Sequence, residues 1–396
     1  MDAVTWRQYG EGLEKRPRDL HERVQSGRYR AKPSQRIYIP KGDGRMRPIG
    51  IAAREDKILQ HAASQVLGAI WEEDFANFSY GFRPGRSQHN ALDALWVGIT
   101  QHKVNWVLDA DIRSFFDTRD HDWLMRFVEH RVGDPRLLRL LRKWLPAGVS
   151  EDGQWSRTSV GVPQGAVISP LLANIYLHYV LDLWVKWWRR HKARGEVIIV
   201  RYADDFVMGF QYRRDAEELL RALRERFAKF AVEIHQDKTR RIEFGRFALE
   251  NRTKREAGRP ETFDFLGFTH ICARRRSDGG FTLWRRTIAQ RMRAKLREIQ
   301  KELMRRRHEP PPEQARWLRS VVQGYFNYHA VPDNSRAMNA FRALVNRLWL
   351  RALRRRSQKG NRRSWARMQH LIAAWIPPAQ VLHPYPNQRL CVSHPR

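Results

Sequence analysis

The sequence predicts a mixed α/β (α+β) chain, with an antiparallel sheet built from its earlier strands and helices taking over from about residue 285. Three observations carry that expectation. Apolar, β-branched or aromatic runs at 196–201 and 206–210 flank the tetrapeptide Tyr202-Ala203-Asp204-Asp205 as the arms of a hairpin. A second run, 106–117, has the buried character of a strand in Val107, Leu108 and Ile112. Beyond 285 the spacing becomes helical, in segments 287–307, 313–329 and 335–356 separated by Pro-containing turns such as Pro310-Pro311-Pro312.

In chain order, short strands at 36–40 and 47–51 flank Lys41-Gly42-Asp43-Gly44, whose glycines favour a turn. Helices are expected to follow. After the strand at 106–117, the Pro/Gly segment 161–165 leads into a long helix reaching 188, with Ser169 at its cap and Pro170 in its first position. An amphipathic helix at 215–230 precedes His235-Gln236-Asp237-Lys238-Thr239, and 263–268 alternates into a strand. In the helical region, the aromatics of Gly324-Tyr325-Phe326-Asn327-Tyr328 recur at a spacing that packs rings inward. A basic segment, 364–376, leads into a Pro-rich tail at 377–395.

Chemistry concentrates where carboxylates meet. Asp204 and Asp205 share a hairpin tip, where two neighbouring negative charges repel and a divalent cation is the natural partner. Asp also favours turns on its own account. Asp111 lies where the upstream strand opens into Ser114-Phe115-Phe116. Asp109 and Asp117 compete for its role, since Asp109 shares a strand face with Asp111 by alternation. One carboxylate from this strand and two from the hairpin would suit a pair of Mg²⁺ ions about 3.5–4 Å apart, the arrangement of two-metal phosphoryl transfer.

Composition points to a polyanionic partner. There are 74 Lys and Arg against 42 Asp and Glu, a formal charge of +32. From 281 to 396 the count is 25 against 5, a net +20, so the excess is concentrated at the C-terminal end. A field of that size favours nucleic acid over a small acidic substrate. The two cysteines, Cys272 and Cys391, form no Cys-x-x-Cys arrangement, which argues against a disulfide framework or a zinc site. No apolar run is long enough to span a membrane, and the 15 His show no ligand spacing tied to a carboxylate.

Seven ordered motifs then resemble the bacterial group II intron-encoded reverse transcriptases and maturases. They are Ile39-Pro40-Lys41 with Arg47-Pro48-Ile49-Gly50-Ile51, Ser79-Tyr80-Gly81-Phe82-Arg83-Pro84-Gly85-Arg86-Ser87, the Asp111 segment, Gly161 through Leu172, the acidic hairpin, 235–239, and Phe263-Asp264-Phe265-Leu266-Gly267-Phe268. The resemblance implies a right-hand polymerase with fingers at 1–104, palm at 105–284, a helical thumb or maturase domain at 285–360, and a basic extension at 361–396 that matches the family's DNA-binding region in part. It implies RNA-directed DNA polymerase activity with two Mg²⁺ ions, Mn²⁺ being a possible substitute, and a maturase role in splicing and retrohoming.

By the same resemblance Asp111, Asp204 and Asp205 are catalytic. Asp111 and Asp204, with the backbone of Ile112 and with Asp205 as ligand or electrostatic support, would hold the metals. Lys41, Arg47, Phe116, Gln164 and Lys238 would contact the nucleotide, Phe116 as a steric gate against ribose, and Lys238 as either a general acid or a phosphate-facing charge. Arg83, Leu266 and Gly267 would contact primer or template. The implied partners are RNA template, intron RNA, DNA primer or target and deoxynucleoside triphosphates, with no membrane, in a bacterial cytoplasm. Measured against the family, the sequence is expected to lack the HNH endonuclease domain and to have an abbreviated N-terminal extension. A reverse transcriptase domesticated for defence or repair, or a splicing-only maturase, stands as the alternative.

Overall fold

In a computed structural model, which describes residues 5–40, 46–113, 115, 120–151, 154–156, 165–356 and 364–393, the apolar runs pair as their alternation dictates. β1 (Ser34–Pro40) and β2 (Met46–Ile51) lie antiparallel, with Ile39 opposite Arg47. β3 (Trp106–Ala110) carries Val107 and Leu108 fully buried. The hairpin of β4 (Val149–Glu151) and β5 (Gln154–Ser156) joins the first pair in the order β2-β1-β4-β5, with Ser34 parallel to Val149.

The acidic hairpin forms as expected from β6 (Val197–Tyr202) and β7 (Asp205–Phe210). With β3 and β8 (Arg240–Glu243) it makes a sheet of order β6-β7-β3-β8. Helices cover it because each offers a continuous apolar face. Leu172 and Ile175 come from Ser169–Leu177, and Leu219, Leu223 and Phe227 from Arg213–Ala228, packing with Leu108, Ile199 and Met208 in one core. Burying each such side chain contributes about 1.5–3 kcal/mol. Helix starts follow local chemistry: Asp134 accepts from Arg136 N at 2.8 Å with Pro135 beside it, and Asp120 accepts from Trp123 N at 2.9 Å.

The long helix expected to reach 188 is interrupted. Ser169–Leu177 passes into a π-helical turn, His178–Asp182, before α-helix resumes at Leu183–His191. The wider turn leaves His178, Val180, Leu181 and Asp182 all buried.

The chain divides into two compact units, Met1–Ala91 with Trp106–Arg241, and Leu92–Asn105 with Ile242–Arg396. These bounds differ from the fourfold division read from the motifs. In the second unit β9 (Phe263–Phe265), β10 (Phe268–Arg274) and β11 (Phe281–Thr287) form a sheet of order β11-β10-β9. The strand expected over 263–268 is therefore split. Leu266 at φ 45° and Gly267 at φ 84° supply the two left-handed residues of a tight hairpin turn.

Helices Ala289–Arg305, Pro311–His329, Ser335–Arg354 and Trp365–Trp375 enclose a separate core that includes Ile299, Leu318, Val322, Phe326, Phe341, Trp349 and Met368. Tyr325 stacks on Phe341 with centroids 3.6 Å apart, so the aromatic motif packs inward as its spacing required. The Pro-rich tail is not wholly irregular. Pro386 opens a helix, Pro386–Ser393, whose Arg389 forms an ion pair with buried Asp93 and meets His383 Nδ1 at 2.9 Å.

Candidate active site

The acidic turn is set by strand register. Tyr202 pairs with Asp205, leaving Ala203 and Asp204 as a two-residue loop, and Ala203 adopts φ 57°. Left-handed backbone costs a residue with a Cβ about 1–2 kcal/mol, so something must hold the turn. Two contacts do. Gly81 presses so close that a Cβ there would lie 2.3 Å from Ala203 N, and the Arg201 guanidinium donates to the Ala203 carbonyl at 2.9 Å.

β3 lies antiparallel to β7, with Ala110 opposite Phe206 as its last pair. β3 ends there, and one further step of the same register would set Asp111 opposite Asp205, the first residue of β7. Asp111 is fixed from its other side, because His235 N donates to the Asp111 carbonyl at 2.8 Å and Arg113 N to the Glu233 carbonyl at 2.8 Å, around the antiparallel bridge Ile112 to Ile234. The Ile112 side chain is buried and carries no donor atom, so only its backbone carbonyl could serve as a ligand. The turn closed by Thr239 N to His235 O, 3.0 Å, then carries Lys238 to Asp111, with Nζ 2.5 Å from Oδ2. Asp109 instead faces Arg240 at 3.5 Å.

The structure thus brings Asp111, Asp205 and the Asp204 turn to one end of neighbouring strands. Among the described residues no set of three or more His, Cys, Asp or Glu side chains is already gathered to hold a metal ion. The donor chemistry nonetheless fits a hard divalent cation, since the groups that converge are carboxylates and a cation, the Lys238 ammonium, already sits on one of them.

Arg47 is exposed on β2. Lys41, Phe116 and Gln164 lie outside the described residues. Gly165, next to Gln164, has φ 108°, and a Cβ there would stand 2.6 Å from Ile49 Cγ2 and 2.8 Å from the Gly50 carbonyl, so this turn is pressed on β2. Phe115 is buried edge-on to Tyr176 with centroids 6.2 Å apart.

Arg83, which the resemblance assigns to primer or template, has a side chain 2% exposed that bonds within the protein: Nη2 to Glu72 at 2.6 Å, and Nη1 to the carbonyls of Ala76 at 2.7 Å and Ser79 at 2.9 Å. It is a strut for the loop before Gly81. Leu266 and Gly267 form the β9–β10 turn in the second unit, where Tyr328 Oη donates to the Leu266 carbonyl at 2.8 Å and Ile288 N to the Gly267 carbonyl at 3.2 Å.

Sequence reasoning misses the residues that hold the turn. Arg201, Asp182, Asn174 and Gly81 read as parts of a strand, a helix and a motif, with no functional role of their own. One signal is present: Arg201 is the one charged residue within β6, directly after the apolar run Val197-Ile198-Ile199-Val200, and a charge inside a buried strand demands a partner.

Residues 39–270 match the reverse transcriptase (RNA-dependent DNA polymerase) model, and residues 289–371 match the group II intron maturase-specific domain. The chain belongs to the reverse transcriptase family, in the branch that carries this maturase-specific domain. Reverse transcriptase domains generally use divalent metal ions.

Protein YkfC of Escherichia coli (strain K12) is 40% identical over 219 residues, covering 48% of this chain and 57% of that protein. The group II intron-encoded protein LtrA of Lactococcus lactis subsp. cremoris is 34% identical over 234 residues, covering 58% of this chain and 38% of LtrA. The match therefore spans less than two thirds of either relative. A telomerase structure from Candida albicans aligns with 98% of this chain and 66% of its own at 10% identity, with a TM-score of 0.49.

Proposed function

We propose that the protein is an RNA-directed DNA polymerase of the group II intron type which also binds intron RNA as a maturase. The observation that carries this reading is the register of β3, β7 and β6, which sets Asp111 against the Asp204-Asp205 turn in a chain of the reverse transcriptase family. The maturase-specific match over 289–371 and the group II intron-encoded relative support the second role.

Asp111, Asp204 and Asp205, with the Ile112 carbonyl, would hold two Mg²⁺ ions, with Mn²⁺ as a substitute. Bound there, the ions would activate a 3′-hydroxyl and stabilise the leaving pyrophosphate. The protein's own groups position and screen. Lys41, Arg47 and Gln164 would hold the triphosphate, Phe116 would stand against the ribose, and the Leu266–Gly267 turn would support the primer. Lys238, already against Asp111, would turn its charge to the substrate phosphates or donate a proton to the leaving group.

In this reading 1–104 are fingers, 105–284 palm, 285–360 thumb, and 361–396 a basic extension on nucleic acid. RNA template, intron RNA, DNA primer or target and deoxynucleoside triphosphates are the partners. Both named relatives are bacterial, and a bacterial cytoplasm is the proposed setting. No helix among the described residues is long and apolar enough to cross a membrane.

The test is extension of a DNA primer annealed to an RNA template by the purified chain. Synthesis is expected with Mg²⁺, abolished by a chelator and restored by Mg²⁺ or Mn²⁺. A folded protein that binds the template but extends nothing with either ion would be an RNA-binding maturase alone, and the polymerase assignment would fall.

A further inference from the structure

We infer that Arg201 is a positioning residue for Asp204 and Asp205: its buried guanidinium, anchored by Asp182, grips the Ala203 carbonyl and keeps the acidic turn in its left-handed form. The inference rests on reading those two carboxylates as metal-holding groups.

Arg201, Asp182 and Asn174 are all essentially inaccessible to solvent. Arg201 Nε donates to Asp182 Oδ1 at 2.8 Å and Nη2 to Oδ2 at 2.5 Å, a bidentate pair. Its Nη1 donates both to Asn174 Oδ1 at 3.0 Å and to the Ala203 carbonyl at 2.9 Å. The Asn174 amide passes the constraint on, because its Nδ2 donates to the Gly81 carbonyl at 2.6 Å, and Gly81 is the residue packed on Ala203 N. The Arg201 backbone is held on the same side, donating to Phe78 O at 2.9 Å and accepting from Tyr80 N at 2.8 Å.

A buried ion pair seldom adds stability over an apolar pair of the same size, so stability does not explain this one. Its geometry does. The carbonyl that the guanidinium takes is that of the non-glycine residue with positive φ that directly precedes Asp204. Strained backbone persists only where its surroundings over-determine it, and here a fork, an amide and a close-packed glycine converge on one peptide unit. The π-helical turn His178–Asp182 belongs to the device, since its last residue is the anchor.

Arg201→Lys keeps a cation beside Asp182, but one ammonium cannot span Asp182, Asn174 and Ala203 as the planar fork does. The expected result is a fall of about 10–100-fold in kcat and in Mn²⁺ affinity, the range typical of residues that orient metal ligands, with KM for primer-template unchanged. Mn²⁺ binding is read by titration of the full chain without nucleic acid. Adding Ala203→Gly should recover much of the loss, because glycine takes the left-handed form without a clamp. A general loss of folding would show no such rescue.

If Arg201→Lys fails to fold, Arg201→Met with Asp182→Leu removes both charges together and leaves neither unpaired. This pair is expected to fold and show the same loss. A folded variant of either kind with wild-type Mn²⁺ titration and kcat overturns the inference, as does a loss that Ala203→Gly leaves untouched. If the wild-type chain itself neither binds Mn²⁺ nor extends primer, the metal-site reading fails and the inference falls with it.

Discussion

Lys238 and Arg83 show how differently two cations of one polymerase-like motif set can be used. Lys238 is half-exposed and sits on Asp111, so it competes with any cation for the same carboxylate. Lys238→Met is expected to tighten Mn²⁺ binding by up to about fivefold, since a solvent-accessible ion pair is worth about 0–1 kcal/mol, while primer extension slows, as the proposed role of Lys238 toward the substrate requires. Unchanged Mn²⁺ affinity in that variant would show that the pair does not oppose metal entry. Arg83 is enclosed by Glu72 and two carbonyls. Arg83→Gln should lower stability by about 1–3 kcal/mol, the cost of leaving buried acceptors unsatisfied, with primer-template affinity unaltered at a temperature where the variant is folded. A selective fall in affinity without destabilisation would place Arg83 on the nucleic-acid surface. Nothing local distinguishes these two side chains. An arginine in a glycine- and proline-rich loop has the composition of a binding residue, and only the return of that loop onto the Arg54–Glu72 helix makes it a strut.

At the level of elements, the β9–β11 sheet carries a titratable group with no solvent. His270 pairs across the sheet with Phe263 on one side and Arg285 on the other, stacks on the Phe263 ring at 4.8 Å, and is fully buried. Burial first, and the Arg285 charge second, push its imidazole down to about 3. In the unfolded chain it titrates near 6.5. Above that pH it is neutral in both states. Below it the unfolded chain takes up a proton that the folded one refuses, so stability should fall by up to about 1.4 kcal/mol per pH unit until about pH 3. Denaturant unfolding between about pH 7 and about pH 4 checks this: His270→Gln should flatten the slope by about one proton, and an identical slope would contradict it.

Element legibility followed the same physics. Hairpins such as β6–β7 and helices such as Pro311–His329 were readable because a period of two or 3.6 over many residues leaves little choice. The three-residue strands β4 and β5 are too short to show a period, the π-helical turn at His178–Asp182 depends on what Asp182 must reach, and the Pro386–Ser393 helix was hidden in a proline-rich tail although proline suits a first helical turn. That the acidic turn and the end of the 106–117 strand come together was legible; the Arg201, Asp182 and Asn174 network beneath the turn was not, because these residues meet only after sheet and helix have packed.

For the molecule as a whole, the +20 charge of residues 281–396 predicts RNA binding dominated by phosphate contacts and falling steeply with salt. Removing everything beyond 285 would cut β11 within its own length, so charge-neutralising substitutions are the cleaner probe. Arg347, Arg351, Arg354 and Arg355 line an open groove of about 660 Å³ with Leu350 and Trp365. Replacing Arg347 and Arg351 by Gln should reduce the slope of log affinity against log salt by about 0.7 for each phosphate of single-stranded RNA that the variant no longer neutralises; an unchanged slope would exclude this groove from the RNA surface. The central claim is that carboxylates at the ends of β3 and β7 drive nucleotide addition, and Asp204→Asn tests it most directly, since it keeps the shape of the turn and removes one carboxylate charge. Primer extension on an RNA template by folded wild-type and variant chains, at equal protein and Mg²⁺ concentration, should give synthesis from the first and none above background from the second. Synthesis by Asp204→Asn near the wild-type rate would contradict the assignment of the site.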